Sequence, residues 1–185
     1  SGNIWVTDHF NHRIQTFDSN GNYVSQFGTA GFADGELQYP YDIAIAANGN
    51  VLIIDSKDKV QIFDSNGNYL SSFGATGPGD GQFNFPRGLT VAPNGNILVA
   101  DHININVQIF DSNGNFLSKF GTSGSGNGQF NVLNDVIAAP NGNILVVDVN
   151  NNRVQIFDSN GNYVSQFSMD GSANPYGIAL ASNGN

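Results

Sequence analysis

A chain of 185 residues with a formal charge of −9, 39% apolar residues and 23 glycines reads as a turn-rich globular protein, since a disordered chain carries more charge and fewer aromatics. The acidity disfavours phosphate backbones and anionic headgroups, so neither nucleic acid nor a membrane surface is expected as a partner. Disulfides and thiolate metal sites are excluded by the lack of cysteine, and no stretch approaches the roughly 18 apolar residues of a membrane-spanning helix.

The elements repeat along the chain. Ile4-Trp5-Val6 opens a short apolar strand, and after a polar connection Arg13-Ile14-Gln15-Thr16-Phe17 starts another, which ends in Asp18-Ser19-Asn20-Gly21-Asn22. That pentapeptide returns at Asp64, Asp111 and Asp158, in steps of 46, 47 and 47 residues, a spacing that falls within the range of propeller blades. Residues 60–74 and 107–121 differ at only two of 15 positions, which points to recent duplication of one unit.

The second unit shows the pattern most fully. Ile43-Ala44-Ile45-Ala46 is a small apolar strand, Ala47-Asn48-Gly49-Asn50 a turn, and Val51-Leu52-Ile53-Ile54-Asp55 a β-branched strand. Val60-Gln61-Ile62-Phe63 forms a third strand. It is joined to a fourth, residues 69–73, by an Asn-Gly turn, because that pair supplies the positive φ of a tight hairpin.

Glycine-rich residues 74–85 lead to the next unit. They lack the lysine and the following helix of a phosphate-binding loop. No segment holds a 3.6-residue apolar period, so helix should be nearly absent and the chain all-β.

A run such as Val51–Ile54, apolar on both faces, needs a neighbour on each side, and radial stacking of four-stranded antiparallel blades provides it. One β-propeller domain, residues 1–185, is therefore expected. Its repeats fall at approximately 1–50, 51–96, 97–143 and 144–185, offset by one strand from the blades. Residues 178–185 read as a first strand with its turn, while the chain starts at a second strand. The C-terminal strand is thus expected to complete the N-terminal blade, within the chain or between chains of a homo-oligomer. No signal peptide is read at Ser1, and the lack of an initiator Met suggests a processed or excised piece.

These features resemble the NHL-repeat family. The resemblance rests on Pro86-Arg87-Gly88 and Pro175-Tyr176-Gly177, on strands ending in Asp8, Asp55, Asp101 and Asp148, and on Asn11-His12-Arg13-Ile14-Gln15-Thr16-Phe17 and Asn151-Asn152-Arg153-Val154-Gln155-Ile156-Phe157. Departures are Asp42 and Asp135 for the glycine, Leu133 for the proline, Asn106 for the arginine, and Lys59 in a second copy one residue short. The resemblance implies pairing of the strand-ending aspartates with Arg13 and Arg153, and rings that usually close with six blades.

Among candidate sites, the residues after the proline position, Tyr41, Arg87, Asn134 and Tyr176, differ between copies and should surround one mouth of a channel, where aromatic and arginine side chains serve as anchors. Asp42, Asn134 and Asp135 are the nearest match to the channel ion of lactonase-like propellers. The Asp-Ser-Asn-Gly-Asn turns present alternate oxygens but place glycine too early and lack a distal glutamate, so they read as hairpin turns rather than calcium loops.

His9, His12 and His102 read as solvated loop histidines; His9 and His102, at equivalent positions of copies one and three, fall on opposite blades, too far apart to share a metal, and the three do not reconstruct the zinc site of the amidating lyases that share the repeat. No nucleophile elbow or zinc-protease helix is present. The sequence thus points to a non-enzymatic binding or scaffold propeller for a protein, peptide or glycan, without a cofactor; the near-identity of the copies also fits a repeat-amplified or engineered assembly. The alternative is a metal-dependent lyase or hydrolase of the NHL or lactonase-like propeller type.

Overall fold

A computed structural model of the protein describes residues 2–171 and 174–181. A first antiparallel sheet holds β1 (Ile4–Asp8), β2 (Arg13–Phe17) and β3 (Tyr23–Phe27) in that order. Three further antiparallel sheets carry four strands each: β4 (Asp42–Ile45), β5 (Val51–Asp55), β6 (Lys59–Phe63) and β7 (Tyr69–Phe73); β8 (Pro86–Val91), β9 (Ile97–Asp101), β10 (Asn106–Phe110) and β11 (Phe116–Phe120); and, after a parallel pair in the connector, β12 (Thr122–Ser123) with β13 (Gln129–Phe130), the last sheet of β14 (Leu133–Ala138), β15 (Ile144–Asp148), β16 (Arg153–Phe157) and β17 (Tyr163–Ser168). Among the described residues the helical content is a single 3-10 turn, His9–Asn11.

Each hairpin has a local cause. In the β6–β7 turn Gly67 takes φ +85°, its N–H donates to the Asp64 carbonyl, and Asp64 Oδ1 accepts the amides of Asn66 and Asn68. Asp18, Asp111 and Asp158 act the same way. The side-chain hydrogen bond from the asparagine four residues on, followed by the backbone amides, holds these four carboxyls below the usual carboxylate range. Spent on their own turns, these carboxylates behave as the hairpin reading expects.

The core lies between sheets, not within them. Ile14, Leu37, Val51, Ile53 and Phe63 pack the first sheet on the second. Leu52, Ile54, Val60 and Ile62 pack the second on Leu89, Ile97, Val99 and Phe110 of the third. Leu98, Ala100, Val107 and Ile109 pack the third on Val136, Ile144, Val146 and Phe157 of the fourth. Alternate residues of β5 thus serve opposite neighbours, as a strand apolar on both faces requires.

Buried polar side chains tie the connectors down. Gln61, Gln108 and Gln155 each accept an amide through Oε1, from Gly35, Gly81 and Gly128, and donate through Nε2 to the carbonyls of Glu36, Gln82 and Gln129. The arginine–aspartate pairs form as the family resemblance implies. Arg13 Nε and Arg153 Nε lie 2.8 Å from Asp8 Oδ2 and Asp148 Oδ2, the second pair almost fully buried. In the second copy Lys57, rather than Lys59, approaches Asp55 at 3.4 Å.

The expected C-terminal strand departs from its reading. Residues 174–181 carry no strand assignment, and β1 has a strand neighbour only on its β2 side among the described residues. Residues 182–185, the expected final turn, lie outside the described residues. The tail is nonetheless anchored: Ile178 N–H donates to Asp135 Oδ2 at 2.9 Å, and its side chain packs with Val147, Val149 and Val154.

Candidate functional site

The first residues of β4, β8 and β14 and the C-terminal segment meet at one end of the stacked sheets. Tyr41, Asp42, Arg87, Asn134, Asp135 and Tyr176 line a groove of about 160 Å³ there. All four residues expected at the channel mouth are therefore brought together, each from a successive repeat. Larger hollows, of about 290 and 670 Å³, lie at the opposite end among the Ala-Asn-Gly and Pro-Asn-Gly turns; neither is lined by a charged or aromatic side chain.

Asp42 and Asp135, which stand where the family carries glycine, are staples between inner strands. Asp42 Oδ2 accepts the Leu89 amide at 2.7 Å from the next blade, and Oδ1 accepts its neighbour Ile43 N–H at 2.8 Å. Asp135 repeats this with Ile178 and Val136. Each aspartate thus reaches the residue following a glycine, Gly88 or Gly177. Burial outweighs those amides and pushes the Asp42 carboxyl up to about 7, with the nearby Asp135 adding to the rise. Asp135 is raised by burial as well. As a metal set, Asp42, Asn134 and Asp135 are poorly disposed: every carboxylate oxygen already accepts a backbone amide, and Asn134 Oδ1 accepts from Arg87. Among the described residues no group of three or more His, Asp or Glu is placed to hold a metal ion.

Arg87 stands apart from the other arginines. Arg153 donates to four residues, Asp148, Gln166, Gly126 and Gln129. Arg87 donates to one, through Nη1 to Asn134 Oδ1 at 3.2 Å, and its Nε is buried with no partner among the described residues. Its guanidinium lies 4.7 Å from the Phe85 ring centroid and 6.0 Å from that of Tyr41, a cation–π arrangement. Asn134 in turn donates through Nδ2 to the Tyr176 carbonyl.

An aromatic strip continues outward from this groove. Tyr41 packs against Phe85 and His9, His9 against Tyr39 and Phe10, and Tyr39 against His12. Phe10 is 81% exposed and Tyr176 62%. The histidines have bonding duties between blades: His9 Nδ1 lies 3.2 Å from the Pro40 carbonyl, His102 Nδ1 lies 2.7 Å from that of Leu133, and His12 Nδ1 accepts the Tyr39 amide. Sequence reasoning singled out Tyr41, Arg87, Asn134 and Tyr176 from their variation between copies, and the groove brings these four together. It missed Phe10, Tyr39 and Phe85, whose connector positions gave no periodic signal; Tyr39 and Phe85 take φ of +48° and +61°, values that local sequence does not announce.

A family model described as a 6-bladed beta-propeller, DUF5128, matches residues 89–171. The protein brain tumor of Drosophila melanogaster is 41% identical over 54 residues, 29% of this chain and 5% of that protein. The human E3 ubiquitin-protein ligase NHLRC1 is 32% identical over 59 residues, 32% of this chain and 15% of that protein. The chain therefore spans only a small part of these relatives' lengths. Among solved structures, a streptogramin B lyase superposes with a TM-score of 0.75 at 16% identity, over 99% of this chain and 57% of that one. A virginiamycin B lyase from Staphylococcus aureus gives 0.71 at 15% identity, over 97% and 56%. At such identities these two establish the propeller fold alone. With the four repeats and the sheets stacked through their faces, the matches support an NHL-repeat β-propeller family for this chain.

Proposed function

We propose that the chain is a non-enzymatic binding module whose groove at the start of the inner strands receives a protein, peptide or glycan. The observation that carries this reading is the convergence of Tyr41, Arg87, Asn134 and Tyr176 in one groove, where aromatic and guanidinium groups have the makeup of binding anchors. Screening the full chain on peptide and glycan arrays, then titrating the hits against Tyr41→Ala, Arg87→Ala and Tyr176→Ala variants, tests it. Weakened binding in all three supports the groove; unchanged affinity removes it from consideration.

A metal-dependent lyase or hydrolase is the competing reading, favoured by one observation: Asp42, pushed up to about 7, titrates where a general acid or base works. The amides already held by Asp42 and Asp135 favour the structural role. Stoichiometric zinc or calcium in purified protein would revive the enzymatic reading.

We further propose that the C-terminal segment completes the first sheet, in the same chain or in a second copy. Ile178 occupies the repeat position of Ile43, and Val6 that of Ile53, which pairs with Ile43 in the second sheet. The same register pairs Ala179 with Trp5 and Leu180 with Ile4. Ile4 and Val6 are 48% and 41% exposed, whereas their counterparts Val51 and Ile53 are fully buried; a strand that lacks its inner neighbour explains the difference.

A further inference from the structure

The three arginines occupy two chemical situations. Arg13 and Arg153 each lie 2.8 Å from a carboxylate oxygen. Arg87 is half-buried, has no ion-pair partner among the described residues, and commits a single Nη1 hydrogen to the neutral Asn134 amide. Holding a guanidinium partly out of water without an anion is costly, and the planar fork is matched by a carboxylate that accepts two parallel hydrogen bonds. The two carboxylates in the groove do not supply it, since Asp42 and Asp135 point their oxygens at the backbone amides of Ile43, Leu89, Val136 and Ile178.

We infer that the groove binds a peptide through a carboxylate held by Arg87, with the Asn134 amide and the Tyr41 and Tyr176 rings beside it. This rests on the groove being the binding site. The space of about 160 Å³ suits one acidic side chain or a chain terminus rather than a bulky group. The exposed rings of Tyr39 and Phe10, reached from Tyr41 through His9, offer an apolar ledge for the residues that flank it. A polyphosphate backbone suits the site poorly. One unpaired guanidinium stands among Asp42, Asp135 and Asp58 on a chain of charge −9, and each further phosphate would meet repulsion with no cation to offset it.

The test uses the full chain, labelled with nitrogen-15, and follows the Arg Nε–H resonances and the backbone amides of Tyr41 and Tyr176 by NMR. Four probes are titrated: acetyl-Phe-Glu-Phe-amide, its Gln counterpart, acetyl-Phe-Phe with a free C-terminal carboxylate, and a short oligouridylate. The expected result is at least tenfold tighter binding of the Glu peptide, or of the free-terminus peptide, than of the Gln peptide, with the Arg87 signal shifting; which of the two wins identifies the source of the carboxylate. Arg87→Gln should abolish that preference, and Arg87→Lys should retain only part of it. Equal affinity for all three peptides, a preference that persists in Arg87→Gln, or tighter binding of the oligouridylate would overturn the inference. If the Gln peptide shifts the Tyr41 and Tyr176 signals as strongly as both carboxylate peptides, the groove stands as a site and the carboxylate reading falls. If no probe and no array hit moves those signals, both fall together.

Discussion

Replacing Gly88 with alanine probes how closely the inner strands approach. A Cβ on Gly88 would stand 2.8 Å from the Asp135 Cα and 2.8 Å from the Val136 N, where carbon contacts normally sit at about 3.5–4.0 Å. Both neighbours are backbone of β14, so no side chain can swing away, and β8 and β14 must part by the better part of an ångström. Overpacking of this kind costs about 1–3 kcal/mol. Reduced freedom of the unfolded chain returns about 0.4–1 kcal/mol, which leaves a net loss of roughly 1–2 kcal/mol.

For a chain of this length, each kcal/mol moves the midpoint by about 2–4 °C, so the variant should melt roughly 2–8 °C lower. The Arg87–Asn134 hydrogen bond, 3.2 Å long across the same two strands, should weaken with it. Thermal unfolding followed by circular dichroism reads the shift, and Gly142→Ala is the control: that site has φ +88° and nothing within 4 Å, so only backbone strain, about 1–2 kcal/mol, is felt there and Arg87 is untouched. A Gly88→Ala protein that melts at or above the parent temperature would refute the close approach of these strands.

Two further predictions concern charge. Arg153→Ala leaves Asp148 buried without its cation and should cost about 3–5 kcal/mol, whereas Arg13→Ala, at a pair with side chains 32% and 23% exposed, should cost no more than about 1 kcal/mol; urea unfolding of both variants tests the contrast. Asp42, raised from 3.8 to about 7, contributes stability that is complete below pH 3.8 and lost as pH rises towards 7. At about 1.4 kcal/mol per unit the loss is at most roughly 4 kcal/mol. Asp42→Asn should flatten the melting temperature between pH 4 and 7.5, and an unchanged slope would count against the burial of that carboxyl. The turn aspartates have the opposite sign, since their lowered values give stability that is present above pH 3.8 and lost on acidification below it.

The strands and hairpins could be read from the sequence because their causes are local. Asn66-Gly67 fixes its turn through one positive φ and one aspartate, and the Val51–Ile54 run declares two buried faces within four residues. The convergence of Tyr41, Arg87, Asn134 and Tyr176 in one groove was legible too, since a repeat of 46 or 47 residues puts equivalent positions at one end of the stacked sheets. What escaped depends on the neighbouring blade. Asp42 reads as a lost glycine in sequence, whereas its oxygen accepts the Leu89 amide, 47 residues away. His9 reads as a solvated loop residue, yet its ring reaches the Pro40 carbonyl in the connector that leads into the next sheet. The segment expected as a strand from residue 178 packs against the fourth sheet without a strand assignment, because a strand is defined by a partner and the described residues hold none for it.

Introducing the pair Val6→Cys and Ile178→Cys into this cysteine-free chain tests most directly whether the tail supplies the missing inner strand. Under mild oxidation, non-reducing electrophoresis with mass spectrometry of the linked peptides should show a disulfide joining positions 6 and 178, formed within one chain if the ring closes on itself and between copies if they share it. Free thiols throughout, while a control pair at the equivalent positions Ile43 and Ile53 cross-links readily, would contradict the account.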